Sequence, residues 1–202
     1  MIKRSAIEIM APAGSYESLL AAIEAGADSV YFGVGALNMR AASAANFTLD
    51  DLDEIVKIAH KAGVKAYLTV NTIIYDNEIE QMHAVVDRAA AAKVDAIIAA
   101  DQSVILYARQ RGVEIHLSTQ LNISNSEALE FYAQWADVAV LARELSLDQV
   151  ASIHRAIEER NICGPSGEKI RIEMFAHGAL CMAVSGKCYL SLHETGCSAN
   201  RG

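Results

Sequence analysis

The sequence lacks any hydrophobic run that approaches the roughly 18 residues of a membrane-spanning helix. Its first residues, 1–14, also lack the apolar core of a secretory signal, so we expect a cytoplasmic protein with no membrane partner. A net charge of -8 disfavours broad electrostatic attraction to nucleic acid, although it leaves room for a local basic patch. In the cytoplasm, the four cysteines point to free thiols or to metal or cluster ligands, not to disulfides.

Familiar catalytic and cofactor signatures are also missing. No Gly-x-Ser-x-Gly nucleophile turn follows a strand and no His-Glu-x-x-His motif occurs, so the sequence shows no conventional protease machinery. The first predicted strand is followed by Pro12-Ala13-Gly14 instead of the glycine-rich turn that binds a dinucleotide phosphate. These absences disfavour a serine protease, a zinc protease and a dinucleotide-binding domain of the usual kinds.

What the sequence does contain is an alternation of short apolar runs with amphipathic segments, typical of one α/β domain with a substantial core. The apolar runs predict strands at Ile7–Met10, Ser29–Gly33, Lys65–Asn71, Ala96–Asp101, Glu114–Gln120, Val138–Arg143 and Ile170–Ala176. The segments between them predict helices at Tyr16–Ala25, Leu49–Ala62, Glu78–Ala92, Ser103–Arg111, Ser126–Trp135 and Leu147–Arg160.

A weak internal repeat favours a closed parallel barrel. Asp28, Asp95 and Asp137 each precede an apolar strand, while the intervening strands begin differently. This alternation suits a TIM-barrel-like (β/α)8 fold, whose interior is filled in layers by alternate strands; a doubly wound open sheet is the second choice. Seven predicted strands leave the barrel one strand–helix unit short, so we expect residues 1–202 to form an incomplete N-terminal barrel domain that lacks the C-terminal part of a longer protein. Its unclosed edge would pair with another copy or leave the fold marginally stable.

In parallel barrels, active-site residues come from the carboxyl ends of the strands. Those ends carry amides, carboxylates, guanidinium groups and a histidine, which would meet at one mouth: Arg40, Asn71, Asp101, Gln120, Arg143, Glu144 and His177. A polar residue also occurs at a strand end simply because the chain emerges into solvent, and for each residue alone the two interpretations have equal weight. Together they favour a pocket for a small molecule or a nucleobase, in which Arg40, Asn71, Asp101 and Gln120 bind the substrate.

The catalytic candidates are Glu173, His177, Arg143 and Glu144. Glu173 lies inside the last predicted strand, where it either pairs with an arginine of the barrel interior as plain structure or points into the pocket. His177 is followed by Gly178 and is either a general base, a metal ligand or a residue that only caps the loop.

Two cysteines, Cys181 and Cys188, lie in a glycine-bearing loop just beyond the last predicted strand. Thiolates in such a loop suit a zinc ion or an iron–sulfur cluster, and we prefer ligation to the alternative of two small buried apolar residues. A zinc site formed with Cys197 and His193 is the weaker form of this prediction because no paired two-residue spacing is present. Cys163 is expected to be incidental.

The same stretch, residues 173–191, carries ten constrained positions at fixed spacing: Glu173, Phe175, Gly178, Ala179, Leu180, Cys181, Gly186, Cys188, Leu190 and Ser191. This pattern resembles the signature of the peptidase U32 family, the collagenase-like proteases. The resemblance extends to Ala11–Gly14, Ser118–Gln120 and Arg143–Ser146, so it covers essentially the whole chain.

The resemblance implies an enzyme, and it leaves its type open. Some members of the family are described as peptidases that degrade collagen, while others take part in 5-hydroxylation of pyrimidines in tRNA or rRNA. The Arg143-Glu144 pair and the signature itself resemble the RNA-hydroxylation branch, so we expect RNA as substrate, with room for a small-molecule donor. A collagenase-like peptidase and a non-catalytic scaffold subunit are kept as alternatives. The resemblance also implies a four-iron four-sulfur (4Fe-4S) cluster, with Cys181 and Cys188 as its first two ligands and the other two downstream of residue 202.

Overall fold

The computed structural model describes residues 7–39, 41, 47–178, 183–184 and 193. Within them, strands and helices alternate as the sequence predicts. The strands are β1 (Met10–Pro12), β2 (Ser29–Gly33), β3 (Lys65–Val70), β4 (Ala96–Ala99), β5 (Glu114–Leu117), β6 (Val138–Val140) and β7 (Arg171–Glu173). The α-helices are α1 (Tyr16–Glu24), α2 (Leu52–Lys61), α3 (Ile79–Ala92), α4 (Gln102–Gln110), α5 (Ser126–Ala133) and α6 (Leu147–Arg160).

All strands of the described residues form one parallel sheet in the order of the chain, from β1 to β7. Each strand from β1 to β6 is followed by an α-helix that returns the chain to the start of the next strand, which is the connectivity of a TIM barrel. Among the described residues, no strand joins β1 to β7, so the seven parallel strands form an open half-barrel. The prediction of an incomplete TIM-barrel-like fold is confirmed and the doubly wound alternative is wrong.

The two faces of the sheet bury different kinds of side chain. The outer face packs on the helices in one large apolar core, in which α2 places Leu52, Ile55, Val56 and Ala59. The inner, concave face carries a much smaller apolar cluster, made of Tyr67, Ala96 and Ile98 with Met10 and Tyr31 beside it. The outer core therefore supplies most of the apolar burial that stabilises the fold, and the inner face retains polar residues.

The repeated aspartates anchor the amino ends of neighbouring strands. The Asp28 carboxylate accepts a hydrogen bond from the Ile9 N–H at 2.8 Å, and Asp95 accepts one from the Ala66 N–H at 2.7 Å. Asp137 instead accepts from the N–H and hydroxyl of Ser166, in the segment that leads to β7. These residues satisfy backbone donors at the end of the barrel opposite the predicted mouth, so their repetition reflects the architecture.

The first and last strands differ from their predicted bounds. The predicted strand Ile7–Met10 pairs only from Met10 onward, because the backbone of Ile9 bonds instead to Asp28. The predicted strand Ile170–Ala176 pairs only over Arg171–Glu173, where β6 offers three residues as partners. Among the described residues, no helix has the length and apolar character needed to cross a membrane.

Candidate functional site

A cleft of about 300 Å3 opens at the carboxyl ends of β3, β4 and β5. It brings together three of the four predicted substrate-binding residues, Asn71, Asp101 and Gln120. The remaining lining residues are Ile73, Ala100, Gln102 and Leu121. We call this the mouth cleft; it presents amide and carboxylate groups beside apolar side chains at the edge where TIM barrels carry their active sites.

Asp101 has a structural task in the mouth cleft. One carboxylate oxygen accepts hydrogen bonds from the N–H and the hydroxyl of Ser103, at 2.8 and 2.6 Å, and so caps the start of α4. The other accepts from the Ile74 N–H at 3.0 Å and holds the loop after β3. Because both oxygens serve the protein itself, Asp101 shapes the cleft and has little capacity left to bind a substrate.

The two amide side chains of the cleft differ in their freedom. Asn71 Oδ1 accepts a hydrogen bond from the Met39 N–H at 3.1 Å, which ties the end of β3 to the loop after β2. Gln120 lies in a 3-10 turn, Thr119–Leu121, capped by the Ser118 hydroxyl, and its side-chain amide bonds to no other described residue. Gln120 is therefore the cleft residue whose donor and acceptor are most available to a bound molecule.

Sequence reasoning missed the close fit of Asn38 over the end of β2. Asn38 is buried and its amide donates to the carbonyl of Gly35 at 3.0 Å. A Cβ on Gly33 would lie 2.3 Å from Asn38 Cγ, so the strand must end in glycine for the asparagine to occupy this position. A glycine as the last strand residue, followed by a polar side chain, was the available signal.

Arg143 connects the loop after β6 to the signature segment. Its Nη2 donates to the carbonyl of Ala183 at 3.2 Å, and both Arg143 and Glu144 are exposed. His177 is also exposed, beyond the end of β7. Arg143, Glu144 and His177 thus follow β6 and β7 along the same sheet edge as the mouth cleft, and their catalytic roles stay predictions.

Glu173 points to the concave face and is half-buried. Its strand pairs Arg171 with Val138 and Glu173 with Val140, and Val138 is in register with His116 and Ile98 of the inner face. Burial, and to a smaller extent the negative charge of Glu8, raise the pKa of Glu173 to about 7. The interior arginine, Arg171, bonds to Glu114 at 2.5 Å. Within the described residues, Glu173 therefore has no cation partner of the kind expected for a purely structural carboxylate.

Several other ionisable side chains share this concave face, and together with Glu173 we call them the interior cluster: Glu8, Lys65, Tyr67, Glu114, His116 and Arg171. The Tyr67 hydroxyl donates to Glu8 at 2.5 Å, and its ring packs on that of His116 with centroids 4.5 Å apart. His116 Nε2 lies 3.2 Å from Glu114, which also binds Arg171. TIM barrels usually fill this space with branched apolar side chains, so the polar content is unusual.

Comparison with known proteins fixes the family. The family model described as peptidase family U32 matches residues 14–202. This chain belongs to the peptidase U32 family. A collagenase of Porphyromonas gingivalis is 67% identical over 195 residues, which are 96% of this chain and 47% of the relative. A 23S rRNA 5-hydroxycytidine synthase of Escherichia coli is 39% identical over 97% of this chain and 28% of its own length.

The relatives are longer than this U32 chain, which spans less than half of the length of each of these two. Among solved structures, a U32 peptidase superposes with a TM-score of 0.60 at 15% identity, covering 83% of this chain and 66% of that one. The α subunit of tryptophan synthase from Legionella pneumophila gives 0.55 at 19% identity, covering 86% and 74%. At these identities the structural likeness establishes the barrel-like fold alone.

Part of the predicted U32 site lies outside the described residues. Arg40, Cys181 and Cys188 belong to this part, as does most of the signature between residues 179 and 191. Among the residues that the structure does describe, no group of three or more histidine, cysteine or acidic side chains is arranged to hold a metal ion. The iron–sulfur and zinc predictions for Cys181 and Cys188 therefore stay predictions, and no chemical step is derived through either group.

A second cleft, of about 650 Å3, lies at the opposite, amino end of β5 to β7. Glu114 and Arg171 of the interior cluster line it, together with Asp137 and the loop before β7. Cys163 also lines it, and its thiol donates to the carbonyl of Asn161 at 3.3 Å. This end of a barrel usually carries stabilising contacts, and the prediction that Cys163 is incidental stays a prediction.

Proposed function

We propose that this chain is the substrate-binding and proton-transferring part of a collagenase-like peptidase. The observation that carries the proposal is the 67% identity, over 96% of the chain, to a protein named a collagenase. The signature alone favours RNA hydroxylation, and the relatives named for that activity are 33% to 39% identical. The comparisons therefore support the peptidase alternative better than the hydroxylation hypothesis.

The mouth cleft suits an extended peptide. A peptide backbone offers alternating N–H and C=O groups, and the free amide of Gln120 provides one acceptor and two donors for them. Asn71 and Asp101 hold the walls of the cleft, and Ile73 and Leu121 line it with apolar surface. Because the cleft is open along the sheet edge, a long chain passes through it without having to enter a closed barrel.

Glu173 is the proton-transferring group in this proposal. A carboxyl with a pKa of about 7 is well matched to general acid–base catalysis near neutral pH. As water attacks the peptide carbonyl and the new C–O bond forms, the ionised carboxylate takes a proton from the water. The neutral carboxyl then gives this proton to the leaving amine nitrogen as the C–N bond breaks, so Glu173 ends in its starting form.

Gelatin cleavage tests the proposal. The purified protein is assayed at two lengths, that of this chain and that of its relatives. At each length the wild type is compared with Glu173→Gln and with Glu80→Gln. Glu80 is an exposed carboxylate on α3, so Glu80→Gln is the matched control. We expect Glu173→Gln to lose at least about 100-fold in cleavage rate, the usual contribution of a general acid–base group, and the control to retain it. Cleavage that persists in Glu173→Gln at either length would contradict the assignment.

The second candidate is participation in 5-hydroxylation of an RNA pyrimidine. It rests on the relatives named for RNA hydroxylation, such as a tRNA hydroxylation protein of Bacillus subtilis that is 36% identical over 96% of this chain and 44% of its own. The Asn71 and Gln120 amides would then contact a base edge. Mass spectrometry of total RNA from a deletion strain tests this candidate. An unchanged content of 5-hydroxylated pyrimidines rejects it. Loss of a 5-hydroxylated pyrimidine from the RNA would instead reject gelatin as the main substrate. The scaffold alternative predicts neither activity.

A further inference from the structure

We propose that Asn71 determines which kind of peptide the mouth cleft binds: its amide oxygen is held by the loop after β2, so its amide N–H groups donate to a backbone carbonyl of the substrate. A cleft that donates at this point selects an extended peptide with free carbonyls and few N–H groups, which is a proline-rich strand. This inference deepens the proposed function and rests on its assignment of the mouth cleft to a peptide.

The orientation of the Asn71 amide is fixed from one side. The Met39 N–H lies 3.1 Å from Asn71 Oδ1, and a backbone N–H only donates, so the atom that faces it is the carbonyl oxygen. Because Oδ1 and Nδ2 diverge from the same carbon of a planar group, Nδ2 is directed away from Met39. Asn71 lines the mouth cleft, and its Nδ2 bonds to no other described residue. Both N–H groups of Nδ2 are therefore available to a bound molecule.

The loop that holds Asn71 is itself anchored. The Gly35 N–H donates to the Phe47 carbonyl at 3.0 Å, and Val34 forms a parallel bridge with Phe47, which closes the base of the loop. Asn38, next to Met39, is buried and donates to the carbonyl of Gly35. The Met39 N–H is thus a fixed donor, and the Asn71 amide is oriented before any substrate binds. A group that is already oriented loses less conformational freedom on binding.

The oxygen acceptors beside the Asn71 amide are largely used by the protein itself. Asn71 Oδ1 serves Met39. One Asp101 oxygen serves Ser103 and the other serves the Ile74 N–H. This part of the cleft therefore offers hydrogen-bond donors in excess of acceptors, and it is complementary to a chain that carries acceptors in excess of donors.

A proline-rich strand is a chain of that kind. Each proline keeps its carbonyl but has no backbone N–H. In the polyproline II conformation the carbonyls make no internal hydrogen bonds and are open to a donor from outside. Ile73 and Leu121 give the cleft apolar surface for the prolyl rings. A peptide without proline would place N–H groups beside acceptors that are already occupied, and a desolvated donor without a partner is unfavourable.

A nucleic-acid strand suits the same cleft less well. Asp101 is the one charged side chain among the described residues that line it, and its charge is negative. Phosphate groups are attracted by cations and are repelled by a carboxylate. We therefore favour a peptide as the occupant, and RNA binding is an outcome that the test has to distinguish.

Peptide binding to this chain tests the inference without any assay of cleavage. Two fluorescent peptides of equal length, a Gly-Pro-Ser repeat and a Gly-Ala-Ser repeat, are titrated with the protein, and fluorescence anisotropy gives the affinities. We expect the wild type to prefer the proline-containing peptide. Asn71→Asp keeps an oxygen for Met39 and removes the N–H donors, so it should bind that peptide about tenfold or more weakly. The new carboxylate accepts N–H groups, so the proline-free peptide should lose less and the preference should disappear.

Two further variants control for charge and for the loop. Asn77→Asp makes the same change of charge at an exposed residue in the turn after β3, and it should bind both peptides as the wild type does. Asn71→Ala removes the acceptor for Met39. Amide hydrogen exchange at Met39 should therefore be faster in Asn71→Ala and unchanged in Asn71→Asp, which shows that the loss of affinity in Asn71→Asp comes from the missing donors and not from a displaced loop.

The outcomes separate this inference from the proposed function. Equal affinity of the wild type for the two peptides, or equal affinity of the wild type and Asn71→Asp for the proline-containing one, overturns the inference. If the peptide preference is observed and gelatin is not cleaved, the proposed function fails and the role of Asn71 stands. If gelatin is cleaved without the preference, the role of Asn71 fails and the proposed function stands. Binding of a single-stranded RNA oligonucleotide and of neither peptide would overturn both.

Discussion

Gly33 and Asn38 interlock at the end of β2: the position of a Cβ on Gly33 is 2.3 Å from Asn38 Cγ and 2.6 Å from both its terminal atoms. Asn38 is buried and its amide bonds back to the carbonyls of Val34 and Gly35, so a shift of the side chain away from Gly33 would break these hydrogen bonds. The contact fixes the first turn of the loop that leads from β2 toward the mouth of the barrel.

We therefore expect Gly33→Ala to destabilise the protein by about 1–3 kcal/mol, the usual range for overpacking a buried position. Urea unfolding followed by circular dichroism measures this loss. Gly178→Ala is the matched control, because no atom of the described residues lies within 4 Å of the added Cβ and the backbone there is compatible with alanine. A Gly33→Ala protein as stable as this control would show that the loop relaxes without cost.

Asp101 gives a second prediction, which separates capping from substrate binding. Asp101→Ala removes the cap of α4 and the bond to the loop after β3, so we expect a loss of about 1–2 kcal/mol in the free energy of unfolding. Asp101→Asn keeps a side-chain oxygen for the cap and should cost much less. Comparative urea unfolding of the two variants tests this. A large loss of activity in Asp101→Asn with unchanged stability would instead restore Asp101 as a functional carboxylate.

The sequence allows most of the fold to be predicted because the apolar spacing is regular. The buried face of α2 and the aspartates before β2, β4 and β6 occur where the sequence predicts them. Strand ends are harder to predict, because a strand stops pairing where a side chain binds its backbone N–H or where the neighbouring strand ends. Ile9 shows this, because Asp28 occupies its N–H and β1 starts one residue later.

The interior cluster could not be predicted in the same way. Glu114 and His116, like Arg171 and Glu173, alternate with apolar residues, and this pattern is also typical of a strand with one face in solvent. Only the register shows that these polar residues face the concave side of the sheet together with Tyr67. The positions of Asn71 and Gln120 at strand ends were enough to predict that both residues line the mouth cleft. The structural role of Asp101 could not be predicted, because it depends on where its hydrogen-bond donors lie in the folded chain.

Gln120 is expected to matter for activity and not for stability. Its side chain bonds to no other described residue, so Gln120→Ala should change the free energy of unfolding by less than about 0.5 kcal/mol. If the amide binds the substrate, its removal should raise KM for a gelatin-derived peptide while kcat changes little. Steady-state kinetics tests this. Gln110, an exposed glutamine at the end of α4, provides the control variant, Gln110→Ala. Equal kinetics in the two variants would remove Gln120 from the site.

The last prediction concerns how stability depends on pH. A carboxyl whose pKa is higher in the folded than in the unfolded state stabilises the folded protein at low pH, where both states are protonated. For Glu173, with a pKa of about 7 against an ordinary value of 4.5, this contribution is complete below 4.5 and is lost as the pH rises through 7. The shift corresponds to at most about 3 kcal/mol, because Glu173 is partly exposed.

Glu173→Gln isolates this contribution, since glutamine has nearly the same shape and does not titrate. We expect the wild type to lose stability between pH 5 and 8 relative to Glu173→Gln, so that the variant is the more stable protein at pH 8. Urea unfolding at a series of pH values measures the difference, and Glu80→Gln should follow the wild type throughout. Parallel curves for the wild type and Glu173→Gln would mean that Glu173 ionises in the folded protein as readily as in the unfolded chain, and its burial would then have no chemical consequence.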